Sequence, residues 1–163
     1  MNNQLRAMAA ATLATLSLAP FAGCNPDRSP AEGDGLTGFA TAYAAAWSSQ
    51  DPAALAAFYA DDGVLIVNEG APAVGRDAIE RKAGEFMTAF PDMMVRLDEV
   101  TTDGHTAVFR WHWTGTNTGP GGTGNAVDIH GYEEWTLDAD GLIVESRGHY
   151  DDAEYQRQVD RDN

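Results

Sequence analysis

The chain has 163 residues, with 10 Lys plus Arg against 25 Asp plus Glu and a formal net charge of −15 at pH 7. So acidic a composition disfavours nucleic acid, whose phosphates need a basic face to neutralise them. The single cysteine, Cys24, excludes an intramolecular disulfide. The sequence also carries no Gly-x-Ser-x-Gly elbow, phosphate loop or dinucleotide fingerprint.

The first predicted element is a leader, residues 1–23. Arg6 is the only charge before an apolar, Ala/Leu-rich stretch from Ala7 to Ala19, the form of a secretory signal. A membrane span needs about 20 apolar residues; this stretch is shorter and Pro20 follows it. Phe21-Ala22-Gly23-Cys24 resembles a bacterial lipobox. That resemblance implies export, lipidation of Cys24 and anchoring to a periplasmic or cell-surface membrane, since two or more acyl chains anchor stably. The alternative is a cleaved signal in which Cys24 is incidental. Residues 24–34, rich in Pro, Asp, Ser, Glu and Gly, read as a flexible tether. Residues 35–160 then form one domain by length.

Leu36, Phe39, Ala40, Tyr43 and Trp47 recur at helical spacing, and Asp34 or Thr37 can cap that helix. Pro52 fits the first turn of a second short helix carrying Leu55, Phe58 and Tyr59. Asp61-Asp62-Gly63 predicts a turn and Val64 to Val67 a strand. Gly75-Arg76-Asp77 opens a third helix, with Ile79, Ala83, Phe86, Met87 and Phe90 on its apolar face and Pro91 at its end. Strands are predicted over Met93–Thr101, His105–Thr116, Asn125–Leu137 and Leu142–Tyr150, with hairpins at Asp103-Gly104 and Asp140-Gly141. Asn117 to Gly124 is a long loop, and Asp151 to Gln158 a closing helix. Helices first and a strand meander after them make an α+β domain.

Several of these pieces match one pattern in order. They are Gly75-Arg76, Phe90-Pro91-Asp92, Arg110-Trp111, Thr114-Gly115-Thr116, the 119–124 loop, Gly141-Leu142-Ile143-Val144-Glu145 and Asp151. The set resembles the SnoaL-like branch of the nuclear transport factor 2-like superfamily. The resemblance implies a cone-shaped fold: a curved antiparallel sheet with helices packed on its concave face around one pocket. It implies a small apolar or partly polar ligand, no cofactor, and a homodimer through the outer sheet face, which would offer His130, Tyr132 and Thr136. In SnoaL-like cyclases an Asp on the last strand and a His on the neighbouring strand close a ring by aldol chemistry. Asp151 matches the first. Glu133 stands near the column of the second, and the family's Trp-Asp is Arg147-Gly148 here.

Strand alternation identifies the pocket-facing residues. Val127, Ile129, Gly131, Glu133, Trp135 and Leu137 share one face, so Glu133 is the inward acid. If Ala139-Asp140-Gly141 is a three-residue loop, Leu137 lies opposite Ile143. Counting back, Glu133 meets Arg147 and Gly131 meets His149, so Glu133, Arg147, His149 and Asp151 form a candidate catalytic cluster. The cluster can move protons or merely brace the wall as an ion-pair network. A one-residue slip would separate it. Tyr43, Trp47, Phe58 and Tyr59 are core or ligand contacts closing over the pocket. Trp135 faces inward, and Trp111 with Trp113 does so if Arg110 and His112 face out. Asp128 with His130, and His149 with Asp151, are half metal sites without a Cys or third His nearby, so no metal is expected. The expected activity is cofactor-free cyclisation, isomerisation or hydrolysis of a carbonyl compound or ester. The alternative is a non-catalytic periplasmic binding or accessory lipoprotein.

Overall fold

The computed structural model describes residues 30–161, and side chains from residue 35 onward. The leader and Cys24 lie outside the described residues. Helix α1, Pro30–Ser48, starts earlier than expected, so residues 30–34 of the anticipated tether are helical. Its buried side includes Ala40, Tyr43, Ala44 and Trp47. No helix among the described residues is long and apolar enough to cross a membrane.

Helix α2, Pro52–Ala56, is held by Asp51, whose Oδ1 accepts from the N–H groups of Ala53 (3.1 Å) and Ala54 (3.2 Å). Phe58 and Tyr59 fall beyond its end. Strand β1, Tyr59–Val67, runs through the Asp61-Asp62-Gly63 segment that the sequence predicts as a turn. The segment is an irregularity inside the strand: pairing with the last strand breaks between Tyr59 and Val64. Gly63 passes so close to that strand that a Cβ would stand 2.9 Å from the Ile143 carbonyl oxygen. Strand β2, Ala73–Val74, is a short edge, and α3, Arg76–Ala89, follows.

Strands β3 (Met94–Asp103), β4 (Thr106–Thr116), β5 (Ala126–Leu137) and β6 (Ile143–Tyr150) form the expected meander. Gly104 and Gly141 have φ of 64° and 80°, the left-handed geometry the two hairpin turns require. The curved, unclosed sheet has the order β2-β1-β6-β5-β4-β3. β1 joins β6 in parallel, so the sheet is antiparallel except at that pair. Helix α4, Asp152–Val159, closes the chain over the end of β5, where Asn125 Nδ2 donates to the Val159 and Arg161 carbonyls.

The β5–β6 register differs from the expected one. Leu137 does pair with Ile143, but a bulge then inserts Val144, and Thr136 pairs with Glu145. Beyond it, Trp135 faces Ser146, Glu133 faces Gly148, Glu134 faces Arg147 and Tyr132 faces His149. One extra residue on one strand exchanges the faces of everything beyond it. Arg147 and His149 therefore lie on the outer face, away from Glu133.

Candidate functional site

The inner face of the sheet and helices α1 and α3 line an open cavity with about 520 Å³ of empty space, the solvent at its mouth included. Trp47 of α1 and Phe86 of α3 contribute from the helices. The sheet side includes Leu65 and Val67 of β1, Trp111 and Trp113 of β4, and Tyr150 of β6. Glu133 is the only charged side chain among the lining residues, and Gly148 lies beside it on the next strand.

Glu133 is 5% exposed. Three donors converge on its Oε2: Tyr43 Oη at 2.9 Å, Trp135 Nε1 at 2.9 Å and Ser146 Oγ at 2.6 Å. Tyr59 Oη lies 2.8 Å from Tyr43 Oη, behind the first donor. Burial pushes the Glu133 carboxyl up from its ordinary value, and the bonds from Ser146, Trp135 and Tyr43 oppose that shift without cancelling it. Burial, and after it the Glu133 charge, raises both tyrosines. They remain protonated donors. The result is a buried carboxyl that accepts three hydrogen bonds on one oxygen and holds its proton more tightly than an ordinary glutamate.

Two more polar groups stand in the same walls. Trp111 is 7% and Trp113 4% exposed. Neither indole N–H has a hydrogen-bond partner. A buried donor without a partner is costly, and here both belong to cavity-lining residues. Burial, with the nearby charges of Tyr155 and Asp152, pushes the Tyr150 hydroxyl up to about 12.

A sequence profile of the SnoaL-like domain matches residues 40–146. The chain belongs to the SnoaL-like domain family. No curated protein matches it. Among solved structures it resembles a candidate SnoaL-like polyketide cyclase from Jannaschia sp. CCS1, at 23% identity and a TM-score of 0.73, over 85% of this chain and 100% of that one. A hypothetical protein with a ketosteroid isomerase-like fold from Catenulispora acidiphila, solved with trimethylamine, matches at 20% identity and 0.68, over 75% and 92%. AclR, a candidate hydroxylase from Streptomyces galilaeus, matches at 20% and 0.67, over 79% and 83%. At these identities the likeness is one of fold, and it agrees with the expected α+β cone.

The SnoaL-like domain distributes the sequence-predicted site residues unevenly. Glu133, Trp47, Trp111 and Trp113 line the cavity. Tyr43, Tyr59 and Trp135 are fully buried behind it, where all three support Glu133 directly or through one hydroxyl. Phe58 packs edge-on against Tyr43. The other three members of the expected cluster are elsewhere. Arg147 Nε bonds Glu145 Oε1 at 2.7 Å on the exposed outer face. His149 Nε2 lies 3.2 Å from Glu134 Oε2, and its ring stacks on Tyr132. Asp151 is exposed and caps α4, accepting from the Glu154 N–H at 3.0 Å. Ser146 and Gly148 are the members that sequence reasoning missed. Both are small, so no hydrophobic pattern marks the strand face they occupy.

Proposed function

We propose that this SnoaL-like domain takes a small, largely apolar molecule into the cavity and presents an oxygen-bearing group of it to Glu133. Glu133 then serves as the general acid or base of a cofactor-free reaction: cyclisation, isomerisation or hydrolysis of a carbonyl compound or ester. The observation that carries the reading is a single buried carboxyl, its proton affinity raised by burial, in an otherwise apolar cavity. A proton-transfer group works best with its pKa near the working pH. The free N–H groups of Trp111 and Trp113 suit an oxygen acceptor on the ligand.

A second reading, binding without catalysis, is favoured by a specific observation. Oε2 of Glu133 is fully engaged by three donors, and Asp151, His149 and Arg147 do not reach the cavity. Mass spectrometry of small molecules retained by the purified protein separates the two. Catalysis expects a carbonyl compound or ester that is converted on further incubation. A retained compound that stays unchanged in mass and structure supports the binder, and a cavity that retains nothing from any source removes both readings.

Export through the leader, a lipid on Cys24 and pairing of two copies through the outer sheet face complete the proposal. Cys24→Ser should release the protein from membranes or leave its precursor uncut. A Cys24→Ser protein that is still processed and membrane-bound would end the lipobox reading. Pairing requires a dimer mass by light scattering at micromolar protein.

A further inference from the structure

We infer that the outer face of the sheet carries a site for one divalent transition-metal ion, built from His112 on β4 with Asp128 and His130 on β5. The β4–β5 register sets His112 directly across from His130. Asp128 is two residues from His130 on the same strand and so projects from the same face. One ligating atom from each of the three lies within 4.8 Å of the others. The imidazole rings stack at 4.3 Å, 10° from parallel, and His112 Nε2 is 2.7 Å from Asp128 Oδ1.

A tetrahedral ion with bonds of about 2.0–2.2 Å needs its donors roughly 3.4 Å apart. The three ligating atoms lie within 4.8 Å of one another, and the 2.7 Å contact between His112 Nε2 and Asp128 Oδ1 would open by about 0.7 Å to reach that spacing. The backbone beneath them is held: Asp128 N–H donates to Gln158 Oε1, and the Asp128 carbonyl accepts from Gln158 Nε2. His112 is the more enclosed ring, its side chain 19% exposed.

A fourth residue plays the part that supports a metal-bound histidine. Asp98, the extra residue in the β3 bulge between Leu97 and Glu99, places Oδ2 3.0 Å from His130 Nδ1. A carboxylate on one ring nitrogen fixes the ring and leaves the other nitrogen free to bind. Two carboxylates, Asp98 and Asp128, offset Arg96, which faces His112 from β3. Two imidazoles and a carboxylate suit Zn(II), Cu(II) or Ni(II), whereas Mg(II) and Ca(II) prefer oxygen ligands throughout.

The test is calorimetric titration of the tag-free full chain with zinc chloride in excess magnesium chloride. The magnesium suppresses loose attraction to a chain of net charge −15. The expected result is saturation at one ion per chain. His112→Ala, His130→Ala and Asp128→Asn should each weaken binding tenfold or more, and Asp98→Asn by about tenfold. The double variant His105→Ala/His149→Ala removes the chain's other histidines and should bind as the parent does. Asp128→Asn is near-isosteric and exposed, so it decides the matter if an alanine variant does not fold. No saturable uptake, uptake that magnesium abolishes, or parental affinity in Asp128→Asn and the folded single-histidine variants overturns the site.

Discussion

Glu133→Gln should lower turnover of the cavity's substrate by roughly 10²–10⁴, the usual contribution of a positioned general acid or base, while leaving the fold intact. The amide is near-isosteric, and its oxygen can accept from Tyr43, Trp135 and Ser146 as Oε2 does now. What disappears is the titrating proton. The same change has a signature in stability. The folded Glu133 carboxyl is raised above its ordinary value of 4.5, so the native state binds the proton more tightly than the unfolded chain does. Its stabilising contribution is complete below that ordinary value and is lost as pH rises to and through the raised one. Glutamine does not titrate. The stability of Glu133→Gln relative to the parent should therefore climb with pH across this window, by at most about 1.4 kcal/mol per pH unit, and stay flat below it. Parallel melting curves from acid to neutral pH would show that burial does not perturb the carboxyl. Full activity in the variant would leave Glu133 with a structural role and the binder reading in place.

The inward position of Glu133 was legible because β5 alternates cleanly and its other inward residues are apolar or small. The same reasoning failed one strand later. The turn chemistry of Asp140-Gly141 correctly set Leu137 against Ile143. The Val144 bulge then turned Arg147 and His149 outward. A bulge is decided by packing on both sides of a strand, and β6 is flanked by β5 and by the parallel β1. That parallel pairing joins residues far apart in sequence, where no turn rule applies. Nor did β6 carry a corrective pattern of its own, because its inward residues past the bulge include Ser146 and Gly148. The half metal site at Asp128 and His130 has the same history. Its missing third ligand, His112, sits across a strand pair joined by the long 117–124 loop, and loop length does not fix register there.

The direction of Trp111 and Trp113 was the other open question, and the answer lies in the glycine opposite. Gly131 shares the inward face of β5 with Glu133 and pairs with Trp111. A bulky residue on one strand and a bare backbone on the next is how a sheet makes room for an indole lying across it. Sequence alone offers both residues but not their pairing.

Gly131→Ala is accordingly expected to destabilise the domain by about 2–3 kcal/mol, the upper part of the range for overpacking a core. A Cβ there would stand 2.3 Å from Trp111 Cζ2 and 2.5 Å from both Trp111 Cη2 and the His149 carbonyl oxygen. The carbonyl belongs to the paired strand and cannot rotate away. Trp111 lines the cavity, so a shift of its ring to relieve the clash changes the cavity wall. Denaturant midpoint at unchanged slope reads the first effect, and the amount of retained small molecule reads the second. Gly148→Ala is the matched comparison. It lies on the same inner face and pairs with Glu133. Its Cβ would meet only Glu133 Cγ and the Ile66 carbonyl oxygen, both at the 3.6 Å of ordinary van der Waals contact, so it should destabilise the domain clearly less than Gly131→Ala does. Equal, mild effects from the two substitutions would mean that Trp111 does not lie across Gly131, and the wall of the cavity would have to be redrawn. A large loss confined to Gly131→Ala would confirm that the Trp111 ring lies across Gly131 in the cavity wall.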